Sequence, residues 1–122
     1  MTKTPARSFK DLEVWQKAHA LVLVVYQVTK RLPKEELYGL TSQMRRAAVS
    51  VPANIAEAFK KRGKSDKARM LNVAQGSLEE LRYYFILCGD LGYLPLETAS
   101  EDIERVARML GGYVQAILNS AS

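Results

Sequence analysis

From Val14 to Leu32 the apolar residues Val14, Ala18, Leu21, Val25, Val28 and Leu32 recur at alternating intervals of four and three. An α-helix returns side chains to one face at that spacing and a strand does not. The rhythm reappears three times: through Leu40, Met44, Ala47, Val51, Ile55 and Ala58; through Leu71, Ala74, Leu78, Leu81, Phe85 and Cys88; and through Ile103, Ala107, Leu110, Val114 and Ile117. No segment alternates with the period of two that a half-buried strand requires, and there is no internal repeat or low-complexity stretch. Four amphipathic helices joined by short links predict an all-α fold, an antiparallel up-and-down four-helix bundle. The 122 residues suffice for one core,. The expected division is an N-terminal arm over 1–10, the bundle over 11–119 and a loose C-terminus over 120–122.

Helix boundaries follow from turn chemistry. Asp11 is placed to cap the first helix, and Pro33 ends it after Leu32,. The second helix is expected to start between Tyr38 and Thr41 and to fail at Gly63. Pro52 falls inside its pattern, which predicts a kink there or a break at Val51,. Ser65 is a good cap for the third helix, with Gly92 as its stop,. Gly76 within that helix costs roughly 1 kcal/mol against alanine; beside Ala74 and Ser77 it reads as a point of close helix approach. Leu94-Pro95 is expected to open the fourth helix, with Gly111-Gly112 weakening its last third,.

The first helix is apolar on too many sides. Leu21-Val22-Leu23-Val24-Val25 places Leu23 and Val24 away from the main stripe, and a helix in a lone bundle buries one face only. These residues therefore predict a contact between copies of the chain. Tyr83, Tyr84 and Phe85 are consecutive and cannot all point inward, so Tyr83 is assigned either to the same kind of contact or to stacking on a nucleobase,.

Charge is distributed unevenly. Lys60, Lys61, Arg62, Lys64, Lys67 and Arg69 face Asp66 alone, so this one segment carries +5, the entire formal net charge of the chain. Such a patch attracts polyanions and releases their counterions on contact; its plainer role is to keep a loop solvated. In an up-and-down bundle Lys3, Arg7 and Lys10 join it at one pole. The other pole mixes Lys30, Arg31 and Lys34 with Glu35, Glu36, Asp90 and Glu97.

Other classes of function find little support. The single cysteine, Cys88, allows neither an internal disulfide nor a multi-cysteine metal site, and it falls on a core stripe,. The single histidine, His19, lacks an acidic partner at helical spacing, as a general base would need,. Phosphate-cradling glycine loops and Glu-x-x-His pairs are absent. No enzyme activity, cofactor or metal is therefore expected. The apolar run Leu21 to Tyr26 is far below the roughly 20 residues of a membrane span, and Met1 to Lys10 lacks the apolar region of a signal peptide,. These features and the lone thiol predict a cytoplasmic protein.

One polar face stands out on the second helix. Arg46, Ser50, Asn54 and Glu57 share a side, flanked by Arg45 and Gln43,. They predict either a paired hydrogen-bond network, as at a subunit contact, or an arginine site for phosphate.

Phe9-Lys10-Asp11-Leu12-Glu13-Val14-Trp15-Gln16-Lys17-Ala18 resembles the opening of the bacterial four-helix-bundle family of 23S rRNA intervening-sequence proteins. The block from Gly39-Leu40-Thr41-Ser42-Gln43-Met44-Arg45-Arg46 through Ser50-Val51-Pro52-Ala53-Asn54-Ile55-Ala56-Glu57 resembles its central signature. Gly76-Ser77-Leu78-Glu79-Glu80-Leu81 and Leu91-Gly92-Tyr93-Leu94 are similar to its third-helix and turn motifs, so the resemblance runs from about Phe9 to Leu118. Ala58, where the family usually has glycine, and Arg82, where an acidic residue is common, depart from it. The resemblance implies a helical bundle with no established enzymatic activity that assembles as a homopentamer. It also implies kinship with the accessory protein of diversity-generating retroelements, which binds nucleic acid and a reverse transcriptase. Two functions are thus expected in competition: binding of RNA or DNA backbone through the basic pole, or a protein-interaction scaffold that docks an acidic protein without nucleic acid.

Overall fold

The computed structural model describes residues 5–120. It is all-α: the helices are α1 (Glu13–Thr29), α2 (Ser42–Lys60), α3 (Lys64–Asp90) and α4 (Ser100–Asn119), with no strand among the described residues. Of the terminal segments, residues 1–4, with Lys3, and residues 121–122 lie outside the described residues.

The stripes read from the sequence form the core. Ala18 and Val25 of α1, Met44, Val51 and Ile55 of α2, Leu71, Leu81 and Cys88 of α3, and Ile103 and Leu110 of α4 are all buried. Val28, Ala107, Val114 and Ile117 sit at its edge, half-buried. The pairing of helices is cyclic: α1 packs on α2 and α4, and α3 packs on α2 and α4, with α2 and α3 in the most extensive contact. The α1–α2 and α3–α4 pairs therefore form opposite sides of the bundle. The ends are joined too. Arg45, at the start of α2, donates to the Tyr26 carbonyl and to Thr29 Oγ1 at the end of α1. Lys64, at the start of α3, reaches the Leu118 carbonyl at the end of α4.

Several local expectations are corrected. Asp11 does not cap α1. Ser8 and Asp11 form a capping box around a single turn at Phe9–Asp11, in which the Asp11 carboxylate accepts from the Arg7 and Ser8 amides at 2.9 and 3.3 Å. Ordered turn structure thus begins inside the segment expected as an arm, and Leu12 precedes α1 with no side-chain cap. Of the two outcomes expected at Pro52, the break at Val51 does not occur: α2 runs unbroken from Ser42 to Lys60 with Pro52 buried inside it. Burial of the flanking Val51 and Ile55 outweighs the one hydrogen bond that proline cannot make. Gly63, not Ser65, precedes α3.

Gly92 does stop α3. With φ +77°, it lets the Gly92 and Tyr93 amides bond back to Gly89 and Cys88, the double closure of a Schellman cap,. Leu94-Pro95 opens a turn rather than α4. The Thr98 amide and hydroxyl both donate to the Pro95 carbonyl, and Glu97 and Ala99 take positive φ of 64° and 62°. A right-handed helix cannot propagate through such residues, so α4 waits until Ser100. It then continues through Gly111-Gly112 to Asn119.

Gly76 is not a point of close approach. It is exposed, and a Cβ there meets no atom within 4 Å. Gly76→Ala therefore removes the helix-interior glycine penalty without a clash. It is expected to raise unfolding free energy by about 1 kcal/mol, read by denaturant titration; a loss of stability would place that face in a tight contact.

Cys88 packs in the core with its Sγ 3.6 Å from Met44 Sδ. Burial, and secondarily the Glu36 carboxylate, pushes its thiol up to about 11. In the unfolded chain the thiol ionises near 8.5. Between those values the unfolded state has lost a proton that the folded state keeps, so this contribution to stability is intact below about pH 8.5 and is lost as pH rises towards 11. Tyr113, also raised by burial, acts in the same direction. Unfolding free energy should fall across this window, and Cys88→Ala should flatten the lower part of the fall. An unchanged pH profile in that variant would assign the fall to other groups.

Candidate nucleic-acid interface

The basic segment spans the end of α2, the short Lys61–Gly63 link and the first turns of α3. Its brevity follows from helix termination: α2 closes on the Lys61 amide bonding to the Ala58 carbonyl, and Gly63, in extended backbone, already accepts the first α3 amide from Lys67. Six cations are thereby confined to one end of the α2–α3 pair.

They are not equivalent. Lys60 and Arg62 are exposed and Lys61 half-exposed, and none of the three makes an ion pair among the described residues. Arg69 lies 3.5 Å from Asp66, an exposed pair of small energetic value,. Among the described residues Lys64 makes only its long contact of 3.5 Å to the Leu118 carbonyl. Lys67 is different. Its Nζ donates to the Phe59 and Ala58 carbonyls at 2.9 and 3.2 Å and lies 5.7 Å from the Phe59 ring centre. It neutralises the negative end of the α2 dipole and is engaged as a cap. The structure therefore separates a structural lysine from the outward-facing set, a distinction that sequence alone did not reveal. The signal available was its position one turn into α3, facing back towards the α2 terminus.

The polar face of α2 is brought together only in part. Ser50 and Ser77 hydroxyls pair across α2 and α3 at 2.8 Å, and the Asn54 amide donates to the Ser50 carbonyl and hydroxyl at 2.7 and 3.0 Å. Arg46 reaches Gln43 at 3.3 Å. Beside them the Tyr84 hydroxyl donates to Glu80, which pushes its ionisation up. Glu57 is exposed and makes no side-chain hydrogen bond among the described residues. Arg45 leaves this face altogether. It donates to Thr29 Oγ1 at 2.9 Å and lies 4.6 Å from the Tyr26 ring centre, closing the end of α1. Ser50, Ser77 and Asn54 thus form a paired structural network, with Arg46 the one arginine left at the surface.

Of the residues assigned to contacts between copies, Leu23 is 56% and Tyr83 57% exposed, and Val24 is half-buried. His19 is exposed and stacks on Trp15 with ring centres 5.1 Å apart. Among the described residues, no helix is long and apolar enough to cross a membrane. Among the described residues, no three His, Cys, Asp or Glu side chains gather as metal ligands would.

Sequence reasoning missed the opposite end of the molecule. There Glu36 accepts from the Leu40 amide at 3.1 Å and from the Tyr93 hydroxyl at 3.0 Å, tying the α1–α2 connection to the α3–α4 connection. Gly39 permits this because a Cβ there would stand 3.0 Å from Glu36 Oε1. Around the tie the side chains of Leu37, Tyr38 and Leu96 stand out into solvent. None belongs to a periodic stripe, so no pattern drew notice to them.

Comparison with curated proteins finds no match to the chain. A family model described as "23S rRNA-intervening sequence protein" matches residues 10–112. The match takes in α1, α2, α3 and more than half of α4, together with the basic segment and the Ser50–Asn54 face. With most of its length inside that match, the chain belongs to the 23S rRNA-intervening sequence protein family.

Proposed function

We propose that this protein is a non-enzymatic cytosolic bundle whose helices run up and down, assembles as a homopentamer and holds RNA or DNA by backbone phosphates at its basic pole. One observation carries the reading: the chain's whole net charge sits in one inter-helix segment, and Lys60, Lys61 and Arg62 there have no anionic partner among the described residues. The up-and-down course is supported by the Arg45–Thr29 and Lys64–Leu118 contacts at the helix ends. Because α1 rises about 1.5 Å per residue, the turn at Phe9–Asp11 then lies far from Arg45. That brings Lys10 and Arg7 towards the Lys60 end. Leu23, Val24 and Tyr83 supply surface for association, and five copies follow the family resemblance. Phosphate contacts of this kind read no sequence, and repetition in a ring adds avidity.

Filter binding of structured RNA and of duplex DNA against salt tests the reading. The logarithm of affinity should fall linearly with the logarithm of salt, by roughly 0.9 for each duplex phosphate engaged. Affinity that ignores salt, or the absence of binding at low salt, overturns it. Pull-downs repeated after nuclease treatment address the scaffold alternative: an acidic protein retained after nuclease favours that reading.

A further inference from the structure

The pole away from the basic segment mixes charges in the sequence, and the structure sorts them. Asp90 and Glu97 line a cleft built from α3, α4 and the link between them. A separate groove of about 520 Å³ is built from α1, α2 and the link that joins those two, and it shares no lining residue with the cleft. Tyr26, Leu37, Tyr38, Arg45, Arg46 and Val49 give this groove its character, and among the described residues no carboxylate lines it. The Glu36 carboxylate is occupied by the Leu40 amide and the Tyr93 hydroxyl. From Tyr26 to Val49 the chain carries Lys30, Arg31, Lys34, Arg45 and Arg46 against Glu35 and Glu36. The groove is therefore aromatic, apolar and electropositive.

Its side chains are unevenly committed. Tyr38 is 93% exposed, so nearly its whole ring stands in water, and it belongs to no core stripe. Tyr26 shows what such a ring holds: the Arg45 guanidinium lies 4.6 Å from its centre, pinned there by Thr29 Oγ1 and the Tyr26 carbonyl. Arg46 is exposed, and its contact with Gln43 at 3.3 Å leaves most of its donors free among the described residues. A guanidinium presents those donors in a planar fork that matches phosphate. An open aromatic face beside such a cation is how proteins hold single-stranded nucleic acid: the base stacks and the backbone anion is neutralised. Bases inside a duplex have both faces covered by their neighbours, so an unpaired nucleotide is what offers this groove a π-face and an anion together.

We infer that this groove is a separate site for unpaired nucleotides, in which a base stacks on Tyr38 and the adjoining phosphate pairs with Arg46. The site stands apart from the basic segment. Helix α2 runs unbroken from Arg46 to Lys60, which at 1.5 Å of rise per residue puts them about 21 Å apart along its axis,. The inference goes beyond the phosphate contacts of the basic pole and uses none of those cations. A folded strand with paired and unpaired parts then has a partner for each on one molecule. Unpaired RNA and unpaired DNA share this chemistry, and the experiment carries an arm for each.

Fluorescence anisotropy with a short oligouridine, the matching oligothymidine and a blunt duplex tests it; binding of either single strand at low salt supports the site. Tyr38→Ala should weaken single-strand binding about tenfold and leave duplex binding unchanged, while Tyr38→Phe keeps the wild-type affinity, because stacking needs the ring and not the hydroxyl. Arg46→Gln should take about 0.7 off the single-strand salt slope. Both residues are exposed, so circular dichroism of the variants should match the wild type. To keep the basic pole from answering for the groove, the single-strand measurements are repeated in the chain carrying Lys60→Glu, Lys61→Glu and Arg62→Glu, where the residual binding should still depend on Tyr38. No single-strand binding in that chain, or binding that Tyr38→Ala leaves unchanged, overturns the groove and leaves the basic-pole reading untouched. Equal losses on duplex and single strand assign Tyr38 to the fold and overturn it too. A polyglutamate that competes as well as oligouridine means that the groove takes an acidic peptide, which overturns the nucleotide assignment. Tyr38-dependent single-strand binding without any duplex binding supports the groove and overturns the basic-pole reading alone.

Discussion

Replacing Lys60, Lys61 and Arg62 together by glutamate is expected to lower affinity for structured RNA or duplex DNA about a hundredfold near 0.1 M salt, and to take roughly three units off the salt slope. These side chains face outward with no ion pair among the described residues, so their removal deletes phosphate contacts and their reversal adds repulsion. Stability should change by less than about 1 kcal/mol, since only Lys60 adds to the α2 terminus,. Lys67→Met is the contrasting variant. It uncaps the Ala58 and Phe59 carbonyls, so it should cost about 1 kcal/mol of stability while barely moving affinity. Affinity measured at several salt concentrations, alongside denaturant unfolding, reads both. If Lys67→Met weakened binding as strongly as the triple reversal, the division of this segment into a structural and a binding lysine set would be wrong.

Ile55→Ala is expected to cost about 3 kcal/mol of unfolding free energy and to lower Tm by about 12 °C. Ile55 is fully buried at a helix-interior position of α2, the helix that shares its most extensive contact with α3. Truncation leaves a cavity that rigid neighbouring helices can fill only in part. Against the 5–15 kcal/mol typical of a domain, that loss is large. Ala53→Ser, an exposed change two residues earlier on the same helix, should stay within about 0.5 kcal/mol. Calorimetry or denaturant titration of the two variants decides; comparable losses would mean that α2 is not anchored by its apolar face.

Much of this molecule was legible from spacing. The intervals of three and four located all four helices and nearly every core residue, because burying one face of a helix imposes that periodicity on the chain,. Gly92 was legible as a stop because few other residues take its positive φ without strain,. The basic segment was legible as a charge excess. What failed were choices in which two local options compete. Asp11 could cap forward onto α1 or backward onto Ser8, and the capping box won. Pro95 could open a helix, and the left-handed residues Glu97 and Ala99 delayed it to Ser100.

The sequence by itself determined that the chain is helical, which faces are apolar and that its net positive charge is concentrated between the second and third helices, because these depend only on residue type and helical period. Tertiary structure alone decided that Lys67 turns inward to cap α2, that Arg45 leaves its polar face to close α1, and that Tyr93 and Glu36 tie the two connections together at the far end. Those outcomes depend on distances between residues far apart in the chain, which no local pattern encodes.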